Sequence, residues 1–261
     1  MSKLIRSPKS GSGWTSNDLA SYHINLQEQE ALQFFGVQVL PQPEVDPEIL
    51  NTLDAKAMHQ ENNTELISML ELAMTPTRGE TAVADFVRVL FEYLGYVRLG
   101  WLARTRVEIP FHICGEARKA KTKVCLVDHY HNNITLLVQE DRRLANTAPI
   151  HAQAKLVAGA VAAFTEINGD RVAMGLSPLA EKVIPGIVMA GTMPTFFKIP
   201  VTQTLAKHIA YGTYPSAETV VTYCYPPVPR PASRYSEGMK PLDNRREVLR
   251  CFEAFKVIVG I

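Results

Sequence analysis

The chain has 261 residues, 46% of them hydrophobic and 20% charged, and its net charge is +1. That length can bury a substantial core within one large domain, and the composition is ordinary globular usage. A near-neutral total gives no global electrostatic argument for nucleic acid or for a membrane surface and counts against a non-specific DNA binder, although a local patch could still form.

The N-terminus, MSKLIRSPKSGSGW, lacks the apolar run of a secretion signal, and no stretch is long and apolar enough to span a bilayer. Cys114, Cys125, Cys224 and Cys251 stand far apart, with no zinc-type spacing, and read as reduced thiols. Together these features predict an intracellular protein of the cytoplasm or nucleus.

Residues 1–22 are rich in Ser, Gly and Lys and predict a disordered tail. Residues 23–60 hold one apolar knot, ALQFFGVQVLP, followed by prolines, and predict an irregular arm packed on the main body. Residues 61–261 then read as a single domain. Asn62 to Met74 predicts a helix capped by Asn63 or Thr64. The breaker TPTRG separates it from a second helix, ETAVADFVRVLFEYLGY, whose Val83, Val87, Leu90 and Leu94 follow helical spacing. Gly95 suits its C-terminus.

From residue 97 the pattern alternates, predicting one or two strands in VRLGWLARTRVEIPF, a strand Thr122–Asp128, a loop HYHNN and a strand ITLLVQEDR. Thr147-Ala148-Pro149 opens a helix through IHAQAKLVAGAVAAFTEI, with Pro149 in the first turn. A hairpin around Met193-Pro194, a short helix TQTLAKHIAYG, a strand TVVTYCYP, a Pro-bearing loop and a last helix LDNRREVLRCFEAFKVIV complete the chain. This order predicts an α/β or α+β domain around one mixed sheet flanked by helices.

Strand alternation puts Ile134, Leu136, Val138, Glu140 and Arg142 on one face. Asp128 closes the preceding strand beside the loop, while Glu140 lies well past it, so the strands must be offset or bent apart for the two carboxylates to meet. Two carboxylates and a cation suit Mg²⁺, which favours carboxylate and phosphate oxygens. Each residue also has a plainer reading. Asp128 would cap the turn, and Glu140 with Arg142 would form an exposed ion-paired strand end. His129 and His131 read as solvated loop histidines, since no third ligand follows at a useful spacing.

The succession of Glu80 on a helix, Asp128 closing a strand, Glu140-Asp141-Arg142 on the next and Gln153 on the following helix resembles the PD-(D/E)XK nuclease superfamily. The phrases LLVQED, PGIVMAGTMPTFFKIPVT and SEGMKPLDNRREVL further resemble a group of basidiomycete fungal proteins that carry no assigned activity. The superfamily resemblance implies a restriction-endonuclease-like core and Mg²⁺- or Mn²⁺-dependent hydrolysis of nucleic-acid phosphodiesters. It implies Asp128, Glu140 and Glu80 as metal ligands, Arg142 as the cation at the phosphate and Gln153 as support. Arg142 stands where the superfamily has Lys, and a guanidinium is never deprotonated. Hence a second expectation is a catalytically inactive nuclease fold serving as a binding or regulatory module. The basic stretch containing Arg104, Arg106, Lys119, Lys121 and Lys123 would be the nucleic-acid contact.

Overall fold

The computed structural model describes residues 6–75, 80–131, 133–140 and 150–261, apart from the side chains of Glu80, Thr81 and Ile150. Its strands are β1 Ile24–Glu28, β2 Trp101–Ile113, β3 Glu116–Asp128, β4 Asn133–Glu140, β5 Glu181–Ala190, β6 Met193–Thr202 and β7 Thr219–Cys224. The helices are α1 Ser16–Ser21, α2 Ala31–Phe35, α3 Pro47–Asn51, α4 Glu61–Ala73, α5 Glu80–Tyr93, α6 Ile150–Ala173, α7 Gln203–Tyr211, α8 Arg234–Glu237 and α9 Leu242–Val259. The strands form one sheet in the order β1-β7-β6-β5-β4-β3-β2. Pairing is antiparallel except between β4 and β5 and between β1 and β7, giving the mixed α/β sheet expected.

Alternation along the strands builds two cores. Val124, Leu126, Leu136, Val138, Ile187, Met189 and Phe196 face α4, α5 and α9. Cys125, Val127, Leu137, Phe197, Ile199 and Val201 face α6 and α7. Helix α6 carries β4 into its parallel neighbour β5, and its buried alanines let it lie close to the sheet. The approach is tightest at Gly186, where a Cβ would stand 2.8 Å from Leu156 Cδ2.

Two expectations about the N-terminal region are corrected. Residues 6–22 do not form a tail: Trp14 is fully buried, stacked on Tyr22, and α1 opens with a capping box in which Asp18 accepts from Thr15 N–H. An apolar ring of that size is worth burying, which the Ser- and Gly-rich composition around it obscured. The stretch 23–60 does more than pack against the body, because β1 adds a strand to the sheet edge in parallel with β7. The strand expected over Thr122–Asp128 begins earlier, at Glu116, and α4 starts from Gln60 instead of Asn63 or Thr64. The expected helix opening at Thr147-Pro149 and most of TPTRG lie outside the described residues.

Cations donating to backbone carbonyls fasten this N-terminal region. Arg245 on α9 is fully buried and donates to five carbonyls: Ile49 (2.9 Å), Thr52 (2.8 Å), Leu53 (3.0 Å), Met239 (3.2 Å) and Lys240 (3.3 Å). Burial pulls its pKa down to about 10, still far above neutrality, so the guanidinium enters the core charged. Arg250 Nη2 donates to Leu40 O (2.7 Å), and Lys198 Nζ donates to Phe34 O at the C-terminal end of α2, where a cation opposes the helix dipole. Glu48 accepts from Asn63 Nδ2 (2.8 Å) and His59 N–H (2.7 Å), tying α3 to the start of α4.

Replacing Arg245 with Met is expected to cost about 3–5 kcal/mol, because five carbonyls lose their donors together. Arg245→Lys should recover little of this, since an ammonium has only three donors and no fork. Denaturant unfolding of the two variants measures both effects. The bonds from Asn63 and His59 hold the Glu48 carboxyl at about 2, down from 4.5, so its contribution is present above pH 4.5 and fades as pH falls toward 2. Glu48→Gln should flatten that acid limb in stability-versus-pH curves.

Candidate functional site

The hairpin register decides where the expected site residues go. Across β3 and β4, Asp128 pairs with Asn133, Leu126 with Leu136, Cys125 with Leu137 and Val124 with Val138. Asp128 therefore sits at the turn, and Glu140 sits at the far end of β4, about 20 Å away by strand rise. Even with the bulge beside Val127, the two carboxylates cannot share an ion. This corrects the pairing of Asp128 with Glu140. Antiparallel strands separate residues as they leave a turn, and only a large offset could have brought these two back together.

Asp128 instead closes the turn. Its Oδ1 accepts from Tyr130 N–H (3.0 Å), and its Oδ2 lies 2.5 Å from His131 Nδ1. Desolvation raises the Asp128 carboxyl, but the bonds from His131 and Tyr130 outweigh it, and the net shift is downward. This is the turn-capping chemistry of an Asp at a hairpin end.

Glu140 occupies a more informative position. It continues the face of Leu136 and Val138, pairs with Met189, and ends β4 beside the C-terminal end of its parallel neighbour β5. Ligands of open α/β sheets bind outside the carboxyl ends of their strands. The Glu140 side chain is 9% exposed, and Lys123 Nζ stands 3.7 Å from its Oε2. Continuing the register puts Glu140 opposite Thr122, so β3 brings Lys121, Thr122 and Lys123 to this corner and no carboxylate. Thr122 is buried, and its hydroxyl donates inward to Val124 O and Val138 O.

The remaining expected residues divide between the two faces and the undescribed segments. Helix α5, which Glu80 begins, packs on the Glu140 face; the Glu80 side chain and all of Arg142 lie outside the described residues. Gln153 is half-buried on α6, the helix covering the opposite face, and no hydrogen bond joins it to Glu140. Among the described residues, no group of three His, Cys, Asp or Glu side chains is placed to hold a metal ion. A site for Mg²⁺ or Mn²⁺ needs several oxygen donors, and the described part of this corner offers one carboxylate facing an ammonium. The described residues do not fit the ion.

The basic hairpin is largely neutralised within itself. Lys119 and Lys121 both bind Glu108, at 2.5 and 2.8 Å, Arg118 binds Glu116, and Lys123 approaches Glu140. Sequence reading missed the Lys123–Glu140 contact, although counting outward from the HYHNN turn brings Glu140 level with the Lys121–Lys123 segment. No family model and no curated protein matches the chain. Among the described residues, no helix is long and apolar enough to cross a membrane.

Asp128→Asn keeps an acceptor for Tyr130 N–H but loses the charge and the second acceptor facing the exposed His131, so it should change stability at pH 7 by less than about 1 kcal/mol. Calorimetric titration with Mg²⁺ or Mn²⁺ should give the same trace for this variant and the parent chain.

Proposed function

We propose that this chain is a binding module built on a nuclease-like α/β scaffold and that it does not hydrolyse phosphodiesters. The observation that carries the reading is the β3–β4 register, which sends Asp128 to the turn and leaves Glu140 facing Lys123. The helix α5, the strands β2, β3 and β4, the crossover helix α6 and the strand β5 follow one another in the succession on which the PD-(D/E)XK resemblance rests. That succession supports the scaffold, whereas the described side chains at its corner argue against the reaction. Hydrolysis in such a site depends on a metal that activates water and stabilises charge on the phosphate. Here the described corner pairs its carboxylate with a cation, an arrangement that suits a folded ion pair. Arg142, in the position where the superfamily has Lys, supports the same reading.

Incubation with single- and double-stranded DNA and RNA in millimolar Mg²⁺ or Mn²⁺ should give no cleavage above that of a Glu140→Gln variant. Metal-dependent cleavage by the parent chain that Glu140→Gln abolishes would establish the nuclease reading in its place. Arg142→Lys should not create activity, because restoring one cation brings no carboxylate from β3 to Glu140.

A further inference from the structure

The opposite face of the same hairpin carries a second feature. Arg106 adopts φ +54°, in the left-handed region that L-residues avoid, and the β2–β3 register has no pair at this position. The strand faces exchange there. Trp101 packs with the core under α5, but Ile109, Phe111 and Ile113, at the same spacing parity, pack with the core under α6. This irregularity opens a cleft of 220 Å³ between β2 and α6, with Val107, Val127 and Ile134 as its apolar lining and Arg104, Arg106 and Glu166 as its charged lining.

Arg104 and Arg106 differ from the other cations of the hairpin. Lys119, Lys121, Lys123 and Arg118 each have a carboxylate within ion-pair distance, and among the described residues Arg104 and Arg106 have none. A strained backbone that presents an unpaired guanidinium to a cleft is the kind of local cost that functional sites retain. Glu166 is half-buried across the cleft; burial and then Asp170 raise its carboxyl, and Arg104 lowers it in return.

We propose that this cleft binds a small sugar phosphate, with the phosphate on Arg104 and Arg106, the carbon skeleton against Val107, Val127 and Ile134, and a hydroxyl donating to Glu166. The proposal rests on the binding-module reading and gives it a site and a ligand class. Guanidinium forks match phosphate oxygens bidentately. A carboxylate opposite them selects a ligand that carries hydrogen-bond donors as well as the anion. The volume lies below the roughly 300–1,000 Å³ of drug-sized ligand sites, which favours a pentose or hexose phosphate over a nucleotide. A polyanion is disfavoured, because its binding scales with the number of phosphates met by available cations, and here Glu108 and Glu166 flank the two.

Isothermal titration calorimetry of the full chain with a pentose monophosphate, the unphosphorylated pentose, inorganic phosphate and a short single-stranded oligonucleotide tests this. The pentose monophosphate should bind about tenfold more tightly than inorganic phosphate, and the unphosphorylated sugar should not bind measurably. Arg106→Gly keeps the left-handed backbone without strain, so it should weaken the sugar phosphate at least about tenfold while leaving the thermal midpoint unchanged or raised. Glu166→Gln should weaken the sugar phosphate and strengthen inorganic phosphate. Lys121→Ala, outside the cleft, should leave both within about twofold. The proposal is overturned if neither phosphate probe binds, if Arg106→Gly and Arg104→Gln bind like the parent, or if the oligonucleotide alone binds and Lys121→Ala weakens it. None of these results bears on cleavage, so the proposal and the non-hydrolytic reading fail separately.

Discussion

The pairing of β3 with β4 is the constraint on which the rest of the molecule depends. β4 is hydrogen-bonded on both sides, antiparallel to β3 and parallel to β5, and buried on both faces. A shift of one residue would exchange Leu136 and Val138 with Leu137 between two cores that are already filled, so the register has no freedom to adjust. That rigidity fixes which side chains share the end of β4. Glu140 must therefore stand beside Met189 and level with Thr122.

Electrostatics follows from the same geometry. Alternation delivers Glu108 to the face of Lys119 and Lys121, and Lys123 reaches Glu140 from beside Thr122, so much of the charge of the basic stretch is spent within the hairpin. The exposed pairs on Glu108 add little stability. Their larger effect is to remove these lysines from the pool of cations available to a partner. Among the described residues, the two arginines beside the irregularity in β2 keep no such partner, and they line the cleft that Glu166 of α6 also lines.

Much of this architecture is legible in the residues. The stripe of Val83, Val87, Leu90 and Leu94, the alternation through ITLLVQE and the long alanine-bearing helix after it locate α5, β4 and α6, and the sheet class follows from their order. The order of elements does not carry register, so Asp128 and Glu140 could be put together on paper though the hairpin holds them apart. The N-terminal 60 residues were legible least. Trp14 stacks directly on its near neighbour Tyr22, but what buries the pair is the edge contact of Trp14 with Phe111, far along the chain, which no local pattern announces. Arg245 was equally silent, because an Arg in an amphipathic helix reads as a solvated charge unless its carbonyl acceptors are known.

Those carbonyls also impose an order of events. Ile49, Thr52 and Leu53 belong to the early part of the chain, yet their common donor lies more than 190 residues later, and β1 likewise waits for β7. Contacts of such sequence separation require loop closure before they return any stability, and they slow folding accordingly. During synthesis, α2, α3 and the edge of β1 emerge long before α9 can hold them, leaving Phe34, Phe35 and Ile49 without their final cover. The charged rivet that locks the finished fold is thus also the reason the molecule must protect its own beginning until its end arrives.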